Sequence, residues 1–61
     1  MAGTEPARLL VVDDEPNILE LLTATLRFSG FEVASAPDGY SALTIARTFE
    51  PDLVLLDVMM P

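Results

Sequence analysis

Cysteine and histidine are both absent from the chain. Without cysteine there is no disulfide framework, and without either residue the usual zinc sites are excluded, so any metal would be held by oxygen. Basic residues are scarce, three against ten acidic ones, for a net charge of -7. That balance repels phosphate backbones and anionic membranes, so the chain itself is not expected to bind nucleic acid. It favours a divalent cation or a basic partner surface, although acidity also serves solubility alone. No run approaches the ~20 apolar residues of a membrane span, and Met1 to Pro6 lacks the basic start and apolar body of a secretory signal. A soluble, cytoplasmic protein without a membrane partner is expected.

What is present is core-forming. Hydrophobic residues make up 51% of 61 positions, in short runs, which is too rich for a disordered segment and enough for one small domain. Residues 1–7 read as a flexible leader without periodicity. Leu9 to Val12 is a continuous apolar run, the pattern of a parallel strand covered on both faces, so a strand is predicted over Arg8 to Val12. It ends in Asp13, Asp14 and Glu15, and Pro16 suits the first turn of a helix whose positive end favours those acids. From Pro16 to Ser29, Ile18, Leu22 and Leu26 recur every four residues with Leu19 and Leu21 beside them, an amphipathic helix packing on a sheet. Gly30 suits a helix end with positive φ.

Phe31 to Ser35 alternates, as an edge strand exposed on one face should. Ala36-Pro37-Asp38-Gly39 is a turn in which Asp38 can cap a second helix, Gly39 to Phe49, with Ala42, Leu43, Ala46 and Phe49 inward. Tyr40 reads as a partly exposed helix residue. Pro51 closes the helix, and Leu53 to Leu56 suits a strand buried on both faces that ends in a single acid, Asp57.

The rhythm β-α-β-α-β implies a parallel sheet with right-handed crossovers. Two continuous apolar strands flanked by one alternating strand give the order 2-1-3, with the helices on opposite faces. A crevice then opens between the first and third strands, where the chain reverses direction and ligands of open α/β sheets bind. Asp13, Asp14 and Asp57 converge there. Two unit charges about 5 Å apart repel by roughly 3 kcal/mol at an effective dielectric near 20, so either a proton or a hard cation is needed among them. Mg²⁺ commonly bridges carboxylates to a phosphoryl group, which points to phosphate chemistry.

Other readings of the same residues compete. Asp13 and Asp14 also suit simple capping of the first helix. Asp57 could close a Walker B strand, but the first strand leads into acids and not into a Gly-rich loop with Gly-Lys-Ser/Thr. A dinucleotide-binding unit shares the rhythm, yet the turn after the first strand lacks its glycines and offers pyrophosphate three negative charges. Met59 and Met60 read as ordinary loop and core residues.

Val11-Val12-Asp13-Asp14-Glu15-Pro16, Ala36-Pro37-Asp38-Gly39-Tyr40-Ser41-Ala42-Leu43 and Pro51-Asp52-Leu53-Val54-Leu55-Leu56-Asp57-Val58-Met59-Met60-Pro61, in that order, resemble the response-regulator receiver domain of two-component signalling. The resemblance runs from about Leu9 to Pro61. It implies a flavodoxin-like, doubly wound parallel sheet, of which residues 8–61 would be the amino-terminal part, ending after the third strand. By the same resemblance Asp57 is the phosphoacceptor that attacks the phosphoryl group on a sensor histidine kinase. Asp13 and Asp14 match the acidic pair that holds Mg²⁺ with Asp57, and Met59 matches the position whose backbone carbonyl is a metal ligand.

The resemblance further implies that the kinase, not this chain, is the enzyme, and that the parent is a transcription regulator whose output domain binds DNA. The family's two later strands, with their hydroxyl residue and lysine, have no counterpart in these 61 residues. Little or no stable phosphorylation and weak Mg²⁺ binding are therefore expected of the chain alone, and stable phosphorylation of Asp57 in a chain extended through those strands. The rival expectation is a piece without phosphorylation competence, acting structurally or self-associating through an open strand edge.

Overall fold

The computed structural model describes residues 6–56. Three strands and two helices alternate: β1 (Arg8–Val12), α1 (Pro16–Phe28), β2 (Glu32–Ala36), α2 (Gly39–Phe49) and β3 (Leu53–Leu56). The sheet is parallel with the order β2-β1-β3, as the apolar runs predict. Leu9 is level with Val33 on one side and Leu53 on the other, and Val12 with Ala36 and Leu56. Side chains of successive β1 residues point to opposite faces, so the core has two halves. Leu10 and Val12 meet Ala36 and Ala42 of the α2 side, while Leu9 and Val11 meet Val33, Leu19 and Leu26 of the α1 side. Leu10, Val11 and Val12 are each 1% exposed. Each such burial contributes about 1.5–3 kcal/mol, which makes the central strand the anchor of the fold.

The helix ends follow local chemistry. At the end of α1, Gly30 adopts φ 104° and donates its N–H to the Arg27 carbonyl, while the Phe31 N–H reaches the Leu26 carbonyl. This pair of bonds is a Schellman motif, and the positive φ is why glycine stands there. At the start of α2, the Asp38 carboxylate accepts the Ser41 N–H at 2.7 Å, the cap expected of it. Pro51 follows the end of α2, where Glu50 takes φ 53°, a left-handed conformation that costs a non-glycine residue about 1–2 kcal/mol.

Several expectations are corrected. The row of α1 turned to the sheet is Leu19, Thr23 and Leu26, and Thr23 is buried with its hydroxyl donating to the Leu19 carbonyl. Ile18 and Leu22 lie on the flank of that row and Leu21 points away, at 65% exposure. In α2, Ile45 and not Leu43 completes the inward face with Ala42 and Ala46. Tyr40 is largely exposed, not partly so. β2 starts at Glu32, one residue later than the alternation suggested. β3 is not buried on both faces: Leu53, Val54 and Leu56 are exposed, because α1 and α2 lie over β1 and β2. An apolar run reports what a strand can bury, not what covers it.

Candidate functional site at the end of the central strand

The carboxyl end of β1 is where the sheet's direction of winding reverses, and Asp13 is the first residue beyond it. Its N–H donates to the Ala36 carbonyl at 3.2 Å, which continues the β1–β2 ladder one residue past the strand. Its Oδ1 accepts the Glu15 N–H at 2.9 Å. The residue is 3% exposed, so a carboxylate is held against the core with one oxygen engaged by backbone. Asp14, next along the chain, is exposed, and its side chain forms no hydrogen bond or ion pair among the described residues.

Neither acid caps α1 in the ordinary sense. The N-cap is Glu15, without a side-chain cap bond, and Pro16 occupies the first turn. The Asp13 carboxylate instead folds over the N–H of the capping residue itself. That arrangement leaves it at the positive end of the helix, which favours negative charge. Asp13 thus closes an Asx-turn at the start of α1, a local helix-entry role, while its burial sets it at the edge of the crevice.

A cleft of about 420 Å³ opens beside Asp13 between α1 and the β1–β3 pair, lined by Val11, Val12, Asp13, Ile18, Leu22, Leu55 and Leu56. Among the described residues its walls are apolar and Asp13 is its one acid. Asp57 directly follows Leu56, the register partner of Val12. Asp57 and Met59 themselves lie outside the described residues. Among the described residues no group of three acids, histidines or cysteines could hold a metal ion. No helix among them is long and apolar enough to cross a membrane.

Nothing in the sequence pattern marked the opposite end of the sheet, where Arg8 and Asp52 form a polar clasp. The Arg8 N–H donates to Asp52 Oδ2 at 2.8 Å, and the Asp52 N–H returns a bond to the Arg8 carbonyl at 2.7 Å. The Arg8 guanidinium donates to the Phe49 carbonyl at 3.0 Å, lies 5.9 Å from the Phe49 ring centroid, and approaches Glu32 at 3.7 Å. The clasp ties β1 to α2, β2 and the entry to β3. It positions the sheet and not the chemistry.

The family model of the response regulator receiver domain matches residues 9–61. The chain belongs to that family. The receiver is 56% identical over 54 residues to the DNA-binding response regulator MtrA of Mycolicibacterium smegmatis, covering 88% of this chain and 24% of that protein. It is 47% identical over 60 residues to the probable transcriptional regulatory protein TcrX of Mycobacterium tuberculosis, covering 98% of this chain and 26% of that one. Among solved structures, the chemotaxis protein CheY4 of Vibrio cholerae superposes with a TM-score of 0.86 at 39% identity, over 92% of this chain and 47% of its own. The receiver thus spans about a quarter of the length of these curated relatives, and its fold is that of CheY4 over the shared elements.

Proposed function

We propose that the chain is the phosphoacceptor part of a two-component response regulator, receiving a phosphoryl group from a sensor histidine kinase on Asp57 with Mg²⁺. The observation that carries this reading is Asp13, a carboxylate buried at the carboxyl end of the central strand and one residue past the Val12–Leu56 register pair that Asp57 follows. Membership of the receiver family supports it independently.

The donor set suits a hard cation. Asp13 has one oxygen bound to the Glu15 N–H and a second without a hydrogen-bond partner among the described residues, Asp14 is open to solvent, and all candidate ligands are oxygens. In this reading Asp13, Asp14, Asp57 and the Met59 backbone carbonyl hold the ion, which when bound offsets charge on the phosphoryl oxygens. An Asp57 carboxylate oxygen attacks the phosphorus in line, the bond between phosphorus and the kinase histidine nitrogen breaks, and an acyl phosphate forms. The cleft beside Asp13 is walled by apolar side chains, Val11, Val12 and Leu55 among them. Exchanging the single carboxylate charge of Asp57 for the nearly two of an acyl phosphate would bias the domain between two states. The chain is then the acceptor in a reaction that the kinase supports, not a stand-alone enzyme. Its parent would be a transcription regulator, as MtrA, a DNA-binding response regulator, and TcrX, a probable transcriptional regulatory protein, suggest, and would work in the cytoplasm.

A small-molecule phosphodonor with Mg²⁺ tests the reading, applied to this chain and to a longer chain that continues through the remainder of a receiver. Intact-mass measurement is expected to find one phosphoryl group on the longer chain and little on the 61 residues. Asp57→Asn is expected to abolish the adduct. Unchanged phosphorylation in Asp57→Asn would overturn the assignment, and a longer chain that takes no phosphoryl group would favour a purely structural piece.

A further inference from the structure

Helix α1 opens without a side-chain cap although two residues well suited to capping stand just before it. Aspartate is among the preferred N-cap residues, and glutamate is not. Yet the N-cap of α1 is Glu15, with no side-chain bond to the first turn, and the helical ladder opens with the Leu19 N–H on the Glu15 carbonyl at 2.9 Å. A helix starting one or two residues earlier would have Asp14 or Asp13 at its cap, and either start requires Glu15 to take helical backbone angles. Glu15 stands instead at φ -95° and ψ 107°, in the extended region. The next residue accounts for this. The Pro16 ring crowds the backbone before it and disfavours the helical region there, while its own φ suits a first helical turn. Proline also has no N–H, so position 16 offers the Asp13 carboxylate no second backbone donor beside the Glu15 N–H at 2.9 Å.

We propose that Pro16 is a positioning residue for the acid pair: it fixes the start of α1 and so diverts Asp13 and Asp14 from capping the helix to holding a divalent cation. This rests on the assignment of both acids to Mg²⁺ made above. As a cap, Asp13 would commit its carboxylate to the N–H groups of positions 15 and 16, or Asp14 would commit its own to the Asn17 N–H, and the connection from β1 would tighten into a helical turn. With proline at position 16, Asp13 keeps a single backbone bond to its carboxylate, and the Asp14 side chain forms no hydrogen bond or ion pair among the described residues. A hard cation is held by anionic oxygens, and each backbone donor that a carboxylate already serves competes with the ion. The helix goes without a cap, and both carboxylates stay beyond the carboxyl end of β1, on a connection too extended to join the helix.

Pro16 is exposed, so Pro16→Ala disturbs no core packing. Without Mg²⁺, the Cα chemical shifts of Asp14 and Glu15 in Pro16→Ala are expected to become helical, and the melting temperature to hold or rise, because a cap is gained. A proline that served only as a good first-turn residue would give the reverse, an unchanged helix start and a lower melting temperature. In a Mg²⁺ titration followed by amide shifts, the dissociation constant of Pro16→Ala is expected to rise on the order of tenfold, since the ion must displace a hydrogen bond to a charged group. Adding Glu15→Ser gives position 15 a capping side chain of its own, which should return the helix start to position 16 and restore the Mg²⁺ response without proline. An unchanged helix start in Pro16→Ala, equal Mg²⁺ affinity with and without the proline, or a double variant as impaired as Pro16→Ala would each overturn the proposal. An unsubstituted chain without any Mg²⁺ response would overturn the metal assignment of the pair and this proposal with it, whereas failure at the helix start leaves that assignment standing.

Discussion

Replacing Asp13 by alanine and by asparagine separates what its carboxylate does for the fold from what it does for a cation. Alanine removes the acceptor of the Glu15 N–H at 2.9 Å. A hydrogen bond to a charged group contributes about 1.5–3 kcal/mol, but the Glu15 N–H stands at an exposed helix start where water can replace the lost partner, which brings the expected cost to about 1–2 kcal/mol. Asparagine keeps an acceptor oxygen in nearly the same place and relieves repulsion with Asp14 and Glu15, so its cost should stay under about 1 kcal/mol. For a domain of this size 1 kcal/mol moves the melting temperature by about 4–8 °C, so the two variants should be resolved by thermal melts followed by circular dichroism. Mg²⁺ affinity should fall in both variants alike, on the order of tenfold or more, because both lose an anionic ligand. Amide NMR shifts of Asp14 and its neighbours during a Mg²⁺ titration would measure it. Asparagine as destabilising as alanine, or asparagine with undiminished Mg²⁺ response, would refute the reasoning.

Two further expectations concern the frame around the site. The Ser41 backbone N–H holds the Asp38 carboxyl below its ordinary value of 3.8. A depressed folded value means that the cap stabilises α2 fully above about pH 3.8 and loses that contribution as pH falls through the folded value; in Asp38→Asn, which keeps an acceptor oxygen, the acid limb of the helix signal should flatten. Arg8→Ala loses a partly buried bond to the Phe49 carbonyl and a ring contact, while its exposed pairing with Glu32 adds little, so urea denaturation should register a loss of about 1–2 kcal/mol.

The frame was legible because hydrophobic period and turn chemistry act locally. Leu9 to Val12 and the alternating β2 were enough to order the sheet, and Gly30, Asp38 and Pro51 marked three element ends. The inward helix rows were read less well. In α1 the turned-in position is a threonine that satisfies its own hydroxyl on the Leu19 carbonyl, so polarity misreported burial. Leu43 and Ile45 are indistinguishable by hydrophobicity, and only the placement of α2 over β1 and β2 decides between them. The exposure of β3 was hidden for a similar reason, since cover depends on neighbours far along the chain. At the site, spacing brought Asp13 to the switch point, but its burial and its bond to the Glu15 N–H needed three dimensions. The Arg8–Asp52 clasp joins residues 44 positions apart, and no local pattern announces such a pair.

The two adjacent acids differ in freedom as well as in exposure. Asp13 is fastened through its N–H to Ala36 and through its carboxylate to Glu15, so its rotamer is chosen when the sheet forms. Asp14 has neither restraint on its side chain among the described residues and samples solvent. Ordering a short acidic side chain costs a fraction of the roughly 1–2 kcal/mol of larger ones, yet here the cost falls at folding for one acid and at ligand capture for the other. The pair is one stiff arm beside one loose arm. A ligand that needs only the stiff arm would be met at once, and one that needs both would close the loose arm on arrival.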